Sequence, residues 1–260
     1  VPAVETRLSL ADGDVHLWQA RATSSALDLE DAGALLAADE LARARGFRRP
    51  QDRRQFIACR VILRQILAGY LGTEPRAVSF DYNRHGKPRL SGEGPESLCF
   101  SVAHSAGAAL YGFARRRRIG VDLEFMRHLA ILDLARQFFA PEEIAALRDL
   151  PAAGQHAAFY RCWTRKEAYL KAHGLGLSVA LDAFAVSVTP GELWALSWSD
   201  LDPEDVGRWS FLEPAVGEGF AAAVAVESTE RAGPVRFVVR GWGLHPAPSA
   251  TGVRGLAPAR

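Results

Sequence analysis

Two acidic side chains, Asp122 and Glu124, are the first residues here with chemistry in them. They lie in Ile119-Gly120-Val121-Asp122-Leu123-Glu124. Strand alternation there puts Val121 and Leu123 on one face and both carboxylates on the other. Carboxylates held that way repel unless a cation joins them, and hard oxygen donors on a rigid strand suit Mg²⁺ or Mn²⁺. A half-buried strand with a solvated acidic face has the same pattern. Glu167 and Lys171 stand four apart and share a helix face with Tyr160 and Trp163. A surface ion pair has that spacing too, worth a few tenths of a kcal/mol, but the aromatic bulk beside it points to a cleft wall. His104, flanked by Ala103 and Ser105 at a strand end, can donate to a phosphate or serve structure alone. Gly86-Lys87-Pro88 reads as a phosphate edge or as a plain turn.

Lysine usage sharpens the set. Of 31 basic residues only Lys87, Lys166 and Lys171 are lysines. A chain that otherwise uses arginine for positive charge keeps lysine where a compact ammonium is wanted, against a phosphate or in proton transfer.

Strands and helices must position these residues. Alternation predicts strands over 14–20, 77–82, 98–105, 108–114 and 119–125. Helical spacing predicts helices over 28–43, 51–71, 129–139, from Pro141, and over 156–174, the last ended by Gly174. Strands return from Phe184 to about Arg240, and the Pro-, Gly- and Ala-rich final twenty residues read as a disordered tail. The order is α+β, with a break near Arg115–Arg118. A faint echo between Phe56-x-x-Cys59 and Phe159-x-x-Cys162 fits two lobes with a cleft between them.

At 260 residues, 48% apolar and 23% charged, the chain has the composition of an ordinary globular protein with a sizeable core. A net charge of +1 argues against a nucleic-acid binder, and no apolar run approaches a membrane span. Three scattered cysteines suit a reducing cytoplasm better than a disulfide framework. The opening residues do not read as a secretory signal.

Taken in order, Gly-Lys-Pro, a His at a strand end, Gly-Val-Asp-x-Glu and Trp-x-x-Lys-Glu-x-x-x-Lys make a far more specific pattern than any one of them. It resembles the 4′-phosphopantetheinyl transferase family, in its larger, surfactin-type branch, from about Phe47 to Val188. The resemblance implies two similar α+β lobes related by a pseudo-two-fold, with an active-site cleft between them. On that basis residues 1–117 form a lobe gripping coenzyme A, 118–227 a lobe carrying metal and catalytic motifs, and 228–260 a partly disordered extension. It implies transfer of the 4′-phosphopantetheine group from coenzyme A to a serine of an acyl or peptidyl carrier protein, with release of 3′,5′-ADP. The enzyme would be a cytoplasmic monomer, a holo-[acyl-carrier-protein] synthase, acting without nucleic acid or membrane. Asp122, Glu124 and Glu167 match the family's metal ligands, for Mg²⁺ or Mn²⁺. Glu167, Lys171 and Lys166 match its catalytic residues. Lys87, Pro88, His104, Ser105 and Lys171 match its coenzyme contacts, and Arg43 and Arg54 are the nearest candidates for the 3′-phosphate. Ala103 stands where the family usually has Ser, and Gln55 where it usually has Arg, so Arg53 or Arg54 must substitute. These departures are the only support for a rival, a catalytically weak coenzyme A- or nucleotide-binding module of the same fold. Arg115–Arg118 reads as a solvated turn, or as a patch that attracts an acidic carrier.

Overall fold

The computed structural model describes residues 7–22, 34–92, 98–192, 195–228 and 235–242. Strand β1 (Asp14–Arg21) is followed by helices α1 (Ala38–Arg45) and α2 (Pro50–Leu71), then strands β2 (Phe80–Tyr82), β3 (Pro88–Leu90), β4 (Leu98–Ser105), β5 (Ala108–Arg115) and β6 (Ile119–Phe125). Helices α3 (Ile131–Phe138), α4 (Pro141–Asp149) and α5 (Ala152–His173) come next. Strands β7 (Phe184–Val186), β8 (Leu196–Ser199), β9 (Trp209–Leu212), β10 (Phe220–Glu227) and β11 (Arg236–Trp242) complete the α+β order.

Two sheets pack face to face between helices. The first has strand order β11-β1-β5-β4 and the second β6-β10-β9. Alternation assigns each strand residue to a layer. Trp18, Ala20, Phe100, Tyr111 and Phe113 meet α2. Val15, Leu17, Leu110 and Ala114 meet Ile119, Val121, Leu123 and Val224 of the second sheet. The outer face of the second sheet, with Phe211, Ala223 and Ala225, is covered by α5 through Ala168, Tyr169 and Ala172. Both α2 and α5 run 22 residues and end on a left-handed glycine, Gly72 and Gly174. That conformation is costly for any residue with a Cβ.

Two expectations change. The helix predicted over 28–43 runs from Ala38 to Arg45, with residues 28–33 outside the described residues. Its start is set by Glu40, whose carboxylate accepts the Ala37 N–H at 2.9 Å and two guanidinium groups, Arg60 Nε and Arg64 Nε, each at 2.7 Å. The stretch after Gly86, read as a connection, contains β3, which pairs with β2 from Phe80↔Leu90 to Tyr82↔Pro88. The strands expected to about Arg240 end with β11, whose residues 236–242 pair in parallel with β1 from Asp14↔Arg236 to Ala20↔Trp242. The predicted disordered tail from 243 on lies outside the described residues.

Candidate active site

Gly120 explains how the acidic strand β6 and helix α5 come together. Residues 119, 121 and 123 of β6 point into the seam between the sheets, so Gly120, Asp122 and Glu124 take the opposite face. A Cβ on Gly120 would lie 1.9 Å from the Ala168 carbonyl oxygen and 2.4 Å from the Ala172 nitrogen. The missing side chain therefore lets α5 lie against the strand backbone. This approach brings Lys171 Nζ to 2.5 Å from Asp122 Oδ1.

Asp122 is 3% exposed, and its Oδ2 is buried without a hydrogen-bond partner. Glu124 is half-buried and accepts a hydrogen bond from the Ser105 hydroxyl at 3.2 Å. Burial first, and then the charge of Asp122, raise the pKa of Glu124, against the Ser105 hydrogen bond and Lys171. Glu167 is raised by the same two causes, with Lys171 opposing. For Lys171, burial disfavours the ammonium, but Asp122, Glu167 and Glu124 outweigh it and hold the pKa above the ordinary lysine value. Three carboxylates thus share one ammonium. With the side chains as they stand, no group of three His, Cys, Asp or Glu among the described residues is arranged to hold a metal ion. The direct contact within the cluster is that of Lys171 with Asp122.

Beside this cluster opens a cavity of about 300 Å³, its walls including Arg43, Arg60, Tyr82, Lys87, His104 and Lys171. Arg43 lies 5.5 Å over the Phe56 ring. Arg60 donates to Glu40 and to the Tyr82 hydroxyl, both at 2.7 Å, and lies 4.5 Å over Phe80. Pro88 also lines this wall. Lys87 shares the wall, but its ammonium donates to the carbonyls of Ala172 at 2.9 Å and Ile119 at 3.3 Å. Burial, with Arg118 nearby, lowers its pKa to about 8. The loop before it is an Asx turn: Asn83 Oδ1 accepts the N–H groups of His85 and Lys87, and Asn83 Nδ2 donates to the Gly174 carbonyl. The Gly-Lys-Pro segment therefore clamps the β2–β3 hairpin onto the end of α5. His104 opens to solvent from the cavity wall, and the surrounding protein's desolvation of its ring, followed by the Lys171 charge, lowers its pKa.

Four of the predicted residues, Asp122, Glu124, Glu167 and Lys171, come together, with His104 beside Lys171. Others go elsewhere. Lys166 is fully buried: its ammonium is 2.8 Å from Glu143 Oε1 and donates to the Leu181 and Phe184 carbonyls. Consecutive helix residues point about 100° apart, so Lys166 enters the core while Glu167 faces the site. Ser105 turns away from the cavity, because the alternation that aims His104 at it sends Ser105 toward β6. Arg54 and Arg53 are exposed on α2, outside the cavity wall. Trp163 packs on Phe138, Phe139 and Phe159 in the apolar core, and Tyr160 donates to the Arg127 carbonyl, so neither walls the cleft. The Arg115–Arg118 run is engaged within the fold. Arg115 donates to the Leu10 carbonyl, Arg116 faces Asp12 at 3.7 Å, Arg117 is buried, and Arg118 forms a two-pronged pair with Glu227. Sequence reasoning missed Arg60, Tyr82 and the role of Gly120. An arginine inside the apolar run Cys59–Leu63 was the available signal for the first.

A family model described as "4'-phosphopantetheinyl transferase superfamily" matches residues 118–225, and one described as "4'-phosphopantetheinyl transferase, N-terminal" matches residues 18–111. The 4'-phosphopantetheinyl transferase HetI of Nostoc is 43% identical over 221 residues, covering 84% of this chain and 90% of HetI. The chain belongs to the 4′-phosphopantetheinyl transferase superfamily. The slr0495 protein of Synechocystis is 39% identical over 177 residues, 68% of this chain and 70% of that protein. A 4'-phosphopantetheinyl transferase of Bacillus subtilis is 29% identical over 153 residues, 59% and 66% of the two chains. The superfamily match begins at Arg118 and so takes in both β6 and α5, the two elements that carry the carboxylates and Lys171 of this transferase.

Proposed function

We propose that this transferase moves the 4′-phosphopantetheine arm of coenzyme A onto a serine hydroxyl of an acyl or peptidyl carrier protein. The carrying observation is the cluster of Asp122, Glu124, Glu167 and Lys171 at the edge of a cation-lined cavity. The serine oxygen attacks the pyrophosphate phosphorus that bears the pantetheine arm, the bridging P–O bond breaks, and 3′,5′-ADP leaves. Arg43 and His104 are offered to the adenosine phosphates. Lys171 can neutralise charge on the leaving phosphate and pass it a proton. Glu167, made more basic by burial and by the charge of Asp122, can take the serine proton.

The donor set fits a divalent cation. Asp122 Oδ2 is buried and unpartnered, and the charges of Glu124 and Glu167 add to that of Asp122 at the one ammonium, Lys171, that Asp122 contacts. Asp122, Glu124 and Glu167 would hold Mg²⁺, with Mn²⁺ as a substitute. Bound there, the ion would offset the pyrophosphate charge that repels a nucleophile. Residues 1–117 then grip the coenzyme and 118–227 carry the chemistry. The paired 22-residue helices, each on its own sheet, support a pseudo-two-fold between the lobes.

Incubation of an apo carrier protein with the enzyme, coenzyme A and Mg²⁺, read by mass spectrometry, tests the proposal. The expected gain is one phosphopantetheine per carrier. Coenzyme binding with no mass gain would favour the binding-module reading instead.

A further inference from the structure

Ser105 follows His104 directly yet serves the other face of β4. Its Oγ accepts the Phe125 N–H at 3.1 Å and donates to Glu124 Oε2 at 3.2 Å. Four residues earlier, Ser101 makes the first kind of contact alone, accepting the Val121 N–H at 3.1 Å. β4 and β6 belong to different sheets, so these hydroxyls stand where ladder carbonyls would. The two serines match the four-residue spacing from Val121 to Phe125. Just after Ser105 the chain reverses through Ala106 and Gly107, both left-handed at φ 45° and 79°, before β5 returns. A two-residue turn of that kind fixes strand register closely, and with it the place of Ser105.

We infer that Ser105 is a positioning residue for Glu124, and not a ligand of coenzyme phosphate. The inference rests on the reading of Asp122, Glu124 and Glu167 as a cation-holding group. Glu124 is repelled by both other carboxylates. The Ser105 hydroxyl gives one of its oxygens a fixed donor and leaves the other for the shared cation. Because Ser105 sits on the first sheet and Glu124 on the second, the hydrogen bond also ties the geometry of the site to the seam between sheets.

The test is Mn²⁺ binding to the protein alone, without coenzyme, followed by electron paramagnetic resonance of the free ion. Steady-state kinetics with coenzyme A and an apo carrier accompany it. Ser105→Ala is expected to weaken Mn²⁺ binding roughly tenfold or more, as removal of an outer partner of a metal ligand does. It should lower kcat and leave KM for coenzyme A in place, and Ser105→Thr should restore both properties. Ser101→Ala, which removes the matching strand contact and no carboxylate contact, should lower Tm while binding Mn²⁺ like the wild type. Ser105→Cys, which keeps the volume with a weaker donor, gives the same comparison if Ser105→Ala does not fold. Wild-type Mn²⁺ affinity in Ser105→Ala and Ser105→Cys, or a rise confined to the coenzyme KM, would overturn the inference alone. Absence of Mn²⁺ uptake by the wild type would overturn the carboxylate reading and this inference with it.

Discussion

Lys166 and Glu167 are neighbours in sequence with opposite surroundings. The ammonium of Lys166 is buried against Glu143, over the Phe184 ring at 4.3 Å. Removing one partner of a buried pair strands the other charge, at a cost of about 3–5 kcal/mol. Lys166→Met should therefore lose stability on that order in urea denaturation, while its transfer rate at a temperature where it stays folded remains near wild type. Glu167→Gln should do the reverse, keeping stability and losing nearly all transfer. His16 supplies a pH effect of known sign. It is buried against the Tyr70 hydroxyl at 2.6 Å, and burial lowers its pKa to about 4 from 6.5. Between those values the unfolded chain binds a proton the folded chain does not, so stability falls as pH drops from 6.5 toward 4. His16→Gln should flatten the urea-midpoint profile across that window, and an unchanged slope would assign the acid sensitivity to other groups.

At the scale of elements, two contacts position the site: α5 on β6 through Gly120, and β4 on β6 through the serines. Gly120→Ala should separate α5 from β6, because the added carbon would meet backbone that has no rotamer to yield. The expected result is a loss of at least 1–3 kcal/mol, as for overpacked cores, together with loss of transfer, read by thermal melting and by assay. The Ala106–Gly107 turn runs the other way. Alanine is strained at φ 45°, and asparagine is favoured there, so Ala106→Asn should gain about 1 kcal/mol. Most of this layer was legible in the sequence. β4, β5 and β6 alternate, and α2 and α5 carry helical spacing to a glycine stop, so local pattern was enough. The start of α1 was not legible, because Glu40 is held by Arg60 and Arg64, about twenty residues away. β3 was hidden for a similar reason: a three-residue strand is defined by its partner β2 rather than by its own letters. The site was legible to the same extent. Asp122, Glu124, Glu167 and Lys171 follow from spacing on β6 and α5. That Lys166 enters the core and Ser105 faces β6 was not legible, because a motif names neighbours without saying which face each takes.

Across the described residues, the two sheets share one apolar seam, and the first strand meets the last where β1 pairs with β11. Asp14 and Arg236 close that pairing with two hydrogen bonds, at 2.8 and 2.6 Å, and Arg236 holds the Asp14 pKa low against the opposing effect of burial. The site faces the side of β4 and β6 remote from β11. Truncation after Val235 should therefore lower Tm by exposing Trp18 and the edge of β1, and leave KM for coenzyme A unchanged in the folded fraction. The most direct measurement is mass spectrometry of one apo carrier treated in parallel with wild-type, Asp122→Ala, Glu167→Gln and Lys166→Met protein, coenzyme A and Mg²⁺. A phosphopantetheine gain with wild type and Lys166→Met, and none with the two carboxylate variants, is the predicted result. Wild-type modification rates with Asp122→Ala or Glu167→Gln would contradict the assignment of the chemistry to these carboxylates.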